Sequence, residues 1–240
     1  MKAIAVIPAR LASTRLPRKM LRDVAGKPLL AWVVEAVSAS HGLDDVVVAT
    51  DSEEIAEVCR SSGWHWQVTS AHHRSGTERV QEISEHIRAD IYLNVQGDEP
   101  LTRPEHISSL LAVMKSPSVM VGTLATEASP QDVNNPNAVK VVTGTSGAAL
   151  YFSRATIPYD RDGNKPPHKK HLGFYAYRKP ALDQFVKLPE SLLEKSERLE
   201  QLRFLENGIG LMVGETPFDT VGVDTEEDLR RVEQILAQRS

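Results

Sequence analysis

The sequence of 240 residues has one cysteine, Cys59, and no long apolar run. A single cysteine excludes an internal disulfide framework and is typical of a reducing compartment. A transmembrane helix needs about 18 or more consecutive apolar residues, so we expect no membrane segment and no membrane partner. The apolar stretch near the N-terminus is short and runs directly into basic residues, unlike a secretory signal peptide. These absences predict a cytoplasmic protein.

The sequence also has no excess of basic residues. Lysine and arginine number 28 against 32 acidic residues, and the formal net charge is −4. Because nucleic-acid-binding proteins are usually basic overall, we expect no nucleic-acid partner.

The adjacent His72 and His73 lack the spacing of metal ligands. No internal repeat divides the chain.

Short apolar runs alternate with helical patterns through the first half of the chain. The runs at 4–7, 46–49 and 91–95 indicate buried parallel strands. The first run stops at Pro8, and Pro28 is suited to the first turn of the following helix. Ser52 is placed to cap a helix that Gly63 ends, and Thr225 is placed to cap the last helix. This alternation predicts the α/β class, with a mostly parallel, Rossmann-like sheet covered by helices on both faces.

The alternation stops after residue 126. Apolar runs on either side of Gly144 and Gly147 predict a hairpin, and residues 157–167 predict a long loop. We therefore predict one domain over residues 1–240, with an inserted β-rich lobe at roughly 126–178.

A cationic segment follows the first strand. Its only acid is Asp23, and its basic residues are Arg10, Arg15, Arg18, Lys19, Arg22 and Lys27. A strand that leads into such a loop is typical of a phosphate site. The segment is neither a Walker A motif nor G-x-G-x-x-G, so phosphates would be held by side-chain cations and by backbone N–H groups around Ala12 and Ser13. The alternative is an ordinary solvated basic loop.

Two acids, Asp98 and Asp224, each follow an apolar run and lie near a glycine. Asp98 comes just after a predicted central strand, where open α/β sheets bind ligands. Mg²⁺ commonly takes one or two carboxylates together with phosphate oxygens. The two acids therefore predict a Mg²⁺ site beside a triphosphate, and the alternative for Asp224 is a turn residue before a helix.

Nine motifs in register cover nearly the whole chain: PARLASTRLPRK, VATD, SGTER, NVQGDEP, NPNAVKVV, ALYFSRATIPYDRD, HLGFYAYR, LEQLR and GVDTEEDL. In these motifs the chain resembles the 3-deoxy-manno-octulosonate (Kdo) cytidylyltransferases, or CMP-Kdo synthetases. The resemblance implies a nucleotide-diphospho-sugar transferase fold with an inserted lobe for dimerisation and sugar binding. It also implies a homodimer that converts CTP and Kdo to CMP-Kdo and pyrophosphate for lipopolysaccharide biosynthesis.

The same resemblance implies residue roles. Arg10, Lys19 and Asp98 would be catalytic, and Asp98 and Asp224 would bind Mg²⁺. The nucleotide would be held by Pro8, Ala9, Arg10, Ser13, Lys19, Ser75, Gly76, Thr77 and Arg79. The sugar would be held by Gln96, Arg154, His171, Tyr175, Glu200 and Gln201.

The chain departs from the family pattern at three positions. Arg18 stands where the family loop commonly has glycine, Lys170 where arginine is common, and Ser70 where a basic residue is frequent. These changes leave open a close acidic keto-sugar such as 8-amino-Kdo. Two further alternatives are a transferase for a sialic acid or a sugar phosphate, and a non-catalytic nucleotide-binding protein on the same fold.

Overall fold

The computed structural model describes residues 1–13 and 15–238. Thr14 of the first motif lies outside them. The chain divides into two compact units. The N-terminal unit comprises Met1–Ser108 and Thr220–Ser240, and the central unit comprises Ser109–Asp219.

Strands and helices alternate for most of the chain. The strands are β1 (Ala3–Ala9), β2 (Asp23–Val24), β3 (Lys27–Pro28), β4 (Asp45–Thr50), β5 (Trp66–Val68), β6 (Ile91–Asn94), β7 (Val121–Glu127), β8 (Lys140–Thr143), β9 (Ala149–Ser153), β10 (Lys169–Tyr177) and β11 (Leu211–Glu215). The helices are α1 (Leu29–Ser38), α2 (Glu53–Ser62), α3 (Gly76–His86), α4 (Pro104–Val113), α5 (Pro130–Val133), α6 (Lys179–Phe185), α7 (Leu192–Glu197), α8 (Gln201–Glu206) and α9 (Glu226–Ala237). A 3-10 helix covers Lys19–Leu21.

The N-terminal unit contains a parallel sheet. Strand β1 pairs with β4 on one side and β6 on the other, and β5 pairs with β4. Residues 4–7 of β1 have no solvent exposure, as expected for a parallel strand whose two faces are both covered. This confirms the predicted α/β class with a mostly parallel central sheet.

The predicted helix signals of this unit are confirmed. The Ser52 hydroxyl accepts a hydrogen bond from the Ile55 amide at 3.4 Å, and Gly63 follows the last residue of α2. Thr225 and Asp228 form a capping box at the start of α9. Each such cap satisfies amide groups that the first turn leaves unpaired and stabilises a helix by about 1 kcal/mol.

Two prolines differ from the predictions. The first strand does not stop at Pro8 but continues to Ala9, because β6 pairs with β1 only as far as Val6. Beyond that point, the amide hydrogen that proline lacks is not needed by a neighbouring strand. Pro28 does not occupy the first turn of α1 but is the N-cap residue, with an extended ψ of 142°.

The central unit has a mixed sheet. Strand β7 pairs in parallel with β11 and antiparallel with β10, and the β8–β9 hairpin joins β10 through β8. The hairpin prediction is confirmed, and residues 157–167 form the predicted loop. Helices α5 and α7 were not predicted. The inserted lobe at roughly 126–178 stays a prediction.

Across residues 1–13 and 15–238, no helix combines the length and apolar character that crossing a bilayer would require.

Candidate active site

A cleft of about 380 Å³ opens in the N-terminal unit where the basic loop meets the carboxyl ends of the strands. Its lining comprises Pro8, Arg10, Ala12, Ser13, Arg15, Lys19, Met20, Arg74, Ser75, Gly76, Arg79, Gln96 and Asp224. Cations outnumber acids in this lining. The electrostatic field therefore favours an anionic ligand.

Lys19 forms ion pairs with two acids of the N-terminal unit, Asp98 and Asp224. Its ammonium lies 2.5 Å from an oxygen of Asp98 and 3.0 Å from an oxygen of Asp224. Burial disfavours the charged ammonium, but the two carboxylates outweigh this effect and raise the pKa of Lys19. The two predicted metal ligands therefore meet around one cation, which the sequence left open.

Backbone and side-chain bonds hold the two acid-bearing segments together. The Val223 amide donates to the Asp98 carbonyl at 2.9 Å. Arg15 donates to the second oxygen of Asp224 at 2.8 Å. Asp224 thus has a side-chain role in the cluster in addition to its place before α9.

Arg10 connects the basic loop to the segment before α3. Its guanidinium donates to the His73 carbonyl, and the His73 ring contacts Glu82 on α3. Burial and the neighbouring Arg79 lower the pKa of Arg10. Since arginine starts from a pKa above 12, the side chain keeps its charge.

Two glycines of the motifs lie where a side chain would make tight contacts. A Cβ on Gly97 would lie 3.0 Å from the Pro8 carbonyl oxygen and 3.2 Å from the sulfur of Met20. A Cβ on Gly76 would lie 3.1 Å from Nδ2 of the buried Asn94. Both motif glycines therefore lie in closely packed positions, where a larger residue would need its neighbours to shift slightly.

The remaining predicted nucleotide residues differ in their exposure to the cleft. Ser75 is the N-cap of α3, where its hydroxyl accepts from the Glu78 amide. Arg79 lines the cleft yet is fully buried, and it donates to Asp51 at 3.0 Å and to the Thr69 hydroxyl. Ala9 and Thr77 are buried and are not among the lining residues.

The predicted sugar residues lie mainly in the central unit. Gln96 is the exception: it lines the cleft of the N-terminal unit and donates to the Asn94 side-chain oxygen at 3.4 Å. Glu200 is the N-cap residue of α8, and Gln201 is its first residue. The Gln201 amide nitrogen is buried and has no hydrogen-bond acceptor within the described chain.

An irregularity in β10 brings His171 and Tyr175 together. Four residues of a regular strand span about 13 Å, yet the two ring centroids are 5.4 Å apart. The pairing of β10 with β7 shifts between Leu172 and Tyr175, so the bulged backbone shortens the separation. The sequence pattern did not predict this bulge.

Thr123 on β7 holds the bulge. Its hydroxyl lies 2.8 Å from the Phe174 carbonyl and 2.9 Å from Nε2 of His171. Because a carbonyl only accepts, we assign the hydroxyl proton to that bond and the other bond to a proton on His171 Nε2. Burial lowers the pKa of His171 to about 3, so the ring is neutral and Nδ1 is its acceptor nitrogen.

Arg154 follows β9 and is held by backbone carbonyls. Its Nε donates to the Glu197 carbonyl at 2.7 Å, and Nη1 donates to the Pro136 carbonyl at 2.9 Å. A longer bond of 3.4 Å joins Nη2 to the Arg198 carbonyl. The Glu197 carboxylate contacts the Arg154 amide and the Ser153 hydroxyl.

Several residues with structural roles at these sites were missed by sequence reasoning. Arg74 and Met20 line the cleft, and Thr123 and Glu197 hold predicted sugar residues. The position of Arg74, next to Ser75 in the SGTER segment, was the only available signal for it. Thr123 and Glu197 gave none, because their contacts join segments distant in sequence.

Comparisons with known proteins show the family of the chain. A model of the cytidylyltransferase family matches residues 4–216. The chain is 61% identical to the 3-deoxy-manno-octulosonate cytidylyltransferase of Koribacter versatilis (strain Ellin345), over 100% of this chain and 92% of that protein. It is 42% identical to the enzyme of the same name from Escherichia coli, over 99% and 97% of the two chains.

Solved structures give the same result. A CMP:2-keto-3-deoxy-manno-octonic acid synthetase complexed with CTP has a TM-score of 0.96 and 41% identity, over 100% of both chains. A cytidylyltransferase from Leptospira borgpetersenii serovar Hardjo-bovis (strain JB197), at 16% identity and a TM-score of 0.65 over 99% and 87% of the chains, shares the fold. The chain therefore belongs to the cytidylyltransferase family and, within it, to the 3-deoxy-manno-octulosonate cytidylyltransferases, as its nine motifs predict.

Proposed function

We propose that this protein transfers the cytidylyl group of CTP to the anomeric hydroxyl of Kdo and releases pyrophosphate. The observation that carries the proposal is the position of Lys19 between Asp98 and Asp224 in a basic cleft. The anomeric oxygen forms a bond to the α-phosphorus, the bond from that phosphorus to the β-phosphate oxygen breaks, and the hydroxyl proton passes to solvent. The relatives named above support this reaction.

The cleft would supply positive charge beside the phosphates, where negative charge develops during the reaction. Arg10, Arg15 and Lys19 all line the cleft and would bind the triphosphate and the departing pyrophosphate. Such positioned cations stabilise the transition state more than the ground state, and losing one typically costs about 10²- to 10³-fold in rate.

Asp98 and Asp224 would hold Mg²⁺ together with phosphate oxygens. The donor set fits, because two carboxylates of opposite segments already share a cation, the Lys19 ammonium. When bound, the ion would neutralise phosphate charge and polarise the reacting phosphoryl group.

The central unit would recognise the sugar. Kdo carries a carboxylate, for which the forked guanidinium of Arg154 is suited. His171 is neutral, with Nδ1 as an acceptor, and would bind a sugar hydroxyl beside Tyr175. These contacts suit Kdo and close acidic keto-sugars such as 8-amino-Kdo.

Three finer features complete the proposal. A homodimer is supported by exposed apolar side chains in the central unit, with Leu150 65%, Tyr159 84% and Leu192 75% exposed. A cytoplasmic location and a role in lipopolysaccharide biosynthesis are proposed from the resemblance to the family.

The test is pyrophosphate release in the presence of Mg²⁺. Each of the four nucleoside triphosphates is combined with Kdo, 8-amino-Kdo or a sialic acid. We expect release only with CTP and Kdo, or with CTP and 8-amino-Kdo if the sugar pocket accepts the amine. Release with another nucleotide would contradict the proposed specificity for CTP. No release by folded protein with any pair would contradict the proposed reaction and favour a non-catalytic nucleotide-binding role.

A further inference from the structure

Lys140 is a fully buried lysine whose charge faces main-chain oxygens. Its side chain has no solvent exposure. The ammonium donates to the carbonyls of Asn135, Ala138 and Arg154 at 2.8, 2.6 and 2.8 Å. Since an ammonium has three N–H donors, these three bonds use all of them.

The three acceptors join two different segments. Asn135 and Ala138 belong to the turn before β8, and Arg154 follows β9. Arg154 in turn donates from Nη1 to the carbonyl of Pro136 in the same turn. The turn and Arg154 are thus fixed to each other twice, once through Lys140 and once through the guanidinium.

The guanidinium of Arg154 bonds to carbonyl groups and to no carboxylate in the described part of the chain. Within the described residues its three hydrogen bonds all go to carbonyls, those of Glu197, Pro136 and Arg198. A guanidinium has five N–H groups, so one N–H remains on each terminal nitrogen. Two such donors, one on each nitrogen, match the two oxygens of a carboxylate.

We propose that Lys140 is a positioning residue for recognition of the substrate carboxylate, because it fixes the turn and the strand end that orient Arg154. This inference rests on the proposed function, in which Arg154 binds the carboxylate of Kdo. A buried charge costs free energy unless hydrogen bonds compensate it. The ammonium bonds to backbone carbonyls and to no carboxylate in the described chain, although the negative charges of Asp132 and Glu197 act on it from nearby.

The test compares Lys140→Met with the matched variant Lys169→Met. Lys169 lies on neighbouring β10 and contacts Thr143 and Glu215, so it controls for loss of a lysine from the same sheet. Steady-state kinetics are measured with CTP and with either Kdo or the carboxamide of Kdo, and melting temperature is measured for each protein.

We expect Lys140→Met to raise KM for Kdo by about 10- to 100-fold while KM for CTP stays within about twofold. We also expect the preference for Kdo over its carboxamide, as a ratio of kcat/KM values, to fall at least about tenfold. This ratio is independent of the fraction of folded enzyme. Lys169→Met should leave both readouts at the wild-type value.

A lower melting temperature with unchanged KM and unchanged preference would overturn the proposal and leave Lys140 a purely stabilising residue. If Lys140→Met does not fold, Lys140→Gln is tested instead, because glutamine keeps two N–H donors on a shorter side chain. This variant should show an intermediate loss of the preference for Kdo over its carboxamide. A wild-type preference in Lys140→Gln would also overturn the proposal. The variant Arg154→Met distinguishes a failure of this inference from a failure of the proposed reaction. Normal Kdo kinetics in that variant would overturn the role of Lys140 and the assignment of Arg154, whereas pyrophosphate release by the wild type would still establish the reaction.

Discussion

The candidate sites of the two units hold their cations in different ways. In the N-terminal unit, Lys19 and Arg79 bond to carboxylates of Asp98, Asp224 and Asp51. In the central unit, the buried Arg203 also pairs with a carboxylate, that of Glu194. Lys140 and Arg154, at the predicted sugar site, bond instead to neutral carbonyls. In the proposed reaction, Lys19 would exchange carboxylate partners for phosphate oxygens. The guanidinium of Arg154 would instead remain available to the carboxylate of the sugar.

The largest expected effect comes from removing the shared cation of the N-terminal unit. Lys19→Met should lower kcat by about 10²- to 10³-fold, because a preorganised charge near the phosphates is lost. The measurement is pyrophosphate release at saturating CTP and Kdo. Arg22→Met is the control, since Arg22 pairs with Glu226 at the surface. Full activity of Lys19→Met would remove the phosphate-site assignment.

Removing one carboxylate of the same cluster should alter the metal requirement. Asp98→Asn should raise the Mg²⁺ concentration for half-maximal activity by about tenfold or more, because the neutral amide is a weaker ligand for a hard cation. A Mg²⁺ titration of activity measures this. Glu226→Gln, which removes an exposed acid near the same loop, should leave the titration unchanged, and an unchanged titration in Asp98→Asn would refute its role.

In the central unit, the neutral ring of His171 predicts a pH-dependent stability. Its pKa is lowered to about 3 in the folded protein and is about 6.5 when unfolded. The unfolded state therefore binds a proton that the folded state does not, so this contribution is complete above pH 6.5 and is lost as pH falls towards 3. By pH 5 the loss is about 1–2 kcal/mol.

Urea unfolding of wild type and His171→Gln at pH 7.5 and pH 5 measures this difference. The variant should lose less stability between the two pH values than the wild type. His65→Gln, which changes an exposed histidine paired with Asp45, is the control. Equal losses in His171→Gln and wild type would mean that His171 takes up its proton equally in both states.

Thr123 should contribute to stability through the bulge. Thr123→Val keeps the shape but removes the donor to Phe174 and the acceptor for His171. An unsatisfied buried group costs about 1–3 kcal/mol, and each 1 kcal/mol lowers the melting temperature of a chain of this size by about 2–4 °C. Calorimetry should show recovery in Thr123→Ser, which keeps the hydroxyl; a loss in both variants would assign the effect to packing.

The smallest expected effect is at Arg18, the departure from the family loop. Arg18 has a φ of 57°, a left-handed conformation that costs a non-glycine residue about 1 kcal/mol, and its guanidinium pairs with Glu54 at the surface. Such pairs stabilise by about 0–1 kcal/mol. Because the two effects oppose, Arg18→Gly should change the free energy of unfolding by less than about 1 kcal/mol, as measured by urea unfolding. Glu54→Gln alone should be slightly destabilising, and a stabilised Glu54→Gln would contradict the pairing.

The elements predicted best are those with local causes. The first strand and the caps at Ser52 and Thr225 depend on neighbouring residues, and all are present. The extension of β1 through Pro8 was missed because it depends on where another strand ends. The short helix α7 was missed because its capping box, Ser191 with Glu194, precedes only six residues.

The sequence by itself determined the α/β class, the cationic loop and the identity of the family. These follow from periodicity, from composition and from motifs that are contiguous in the chain. Only the tertiary structure decided that Lys19 meets Asp98 and Asp224, which lie 79 and 205 residues away. It alone also decided that a bulge joins His171 to Tyr175 and that Lys140 binds the carbonyl of Arg154. The physical reason is that a hydrogen bond or ion pair requires atoms within about 3 Å, and sequence separation does not determine that distance.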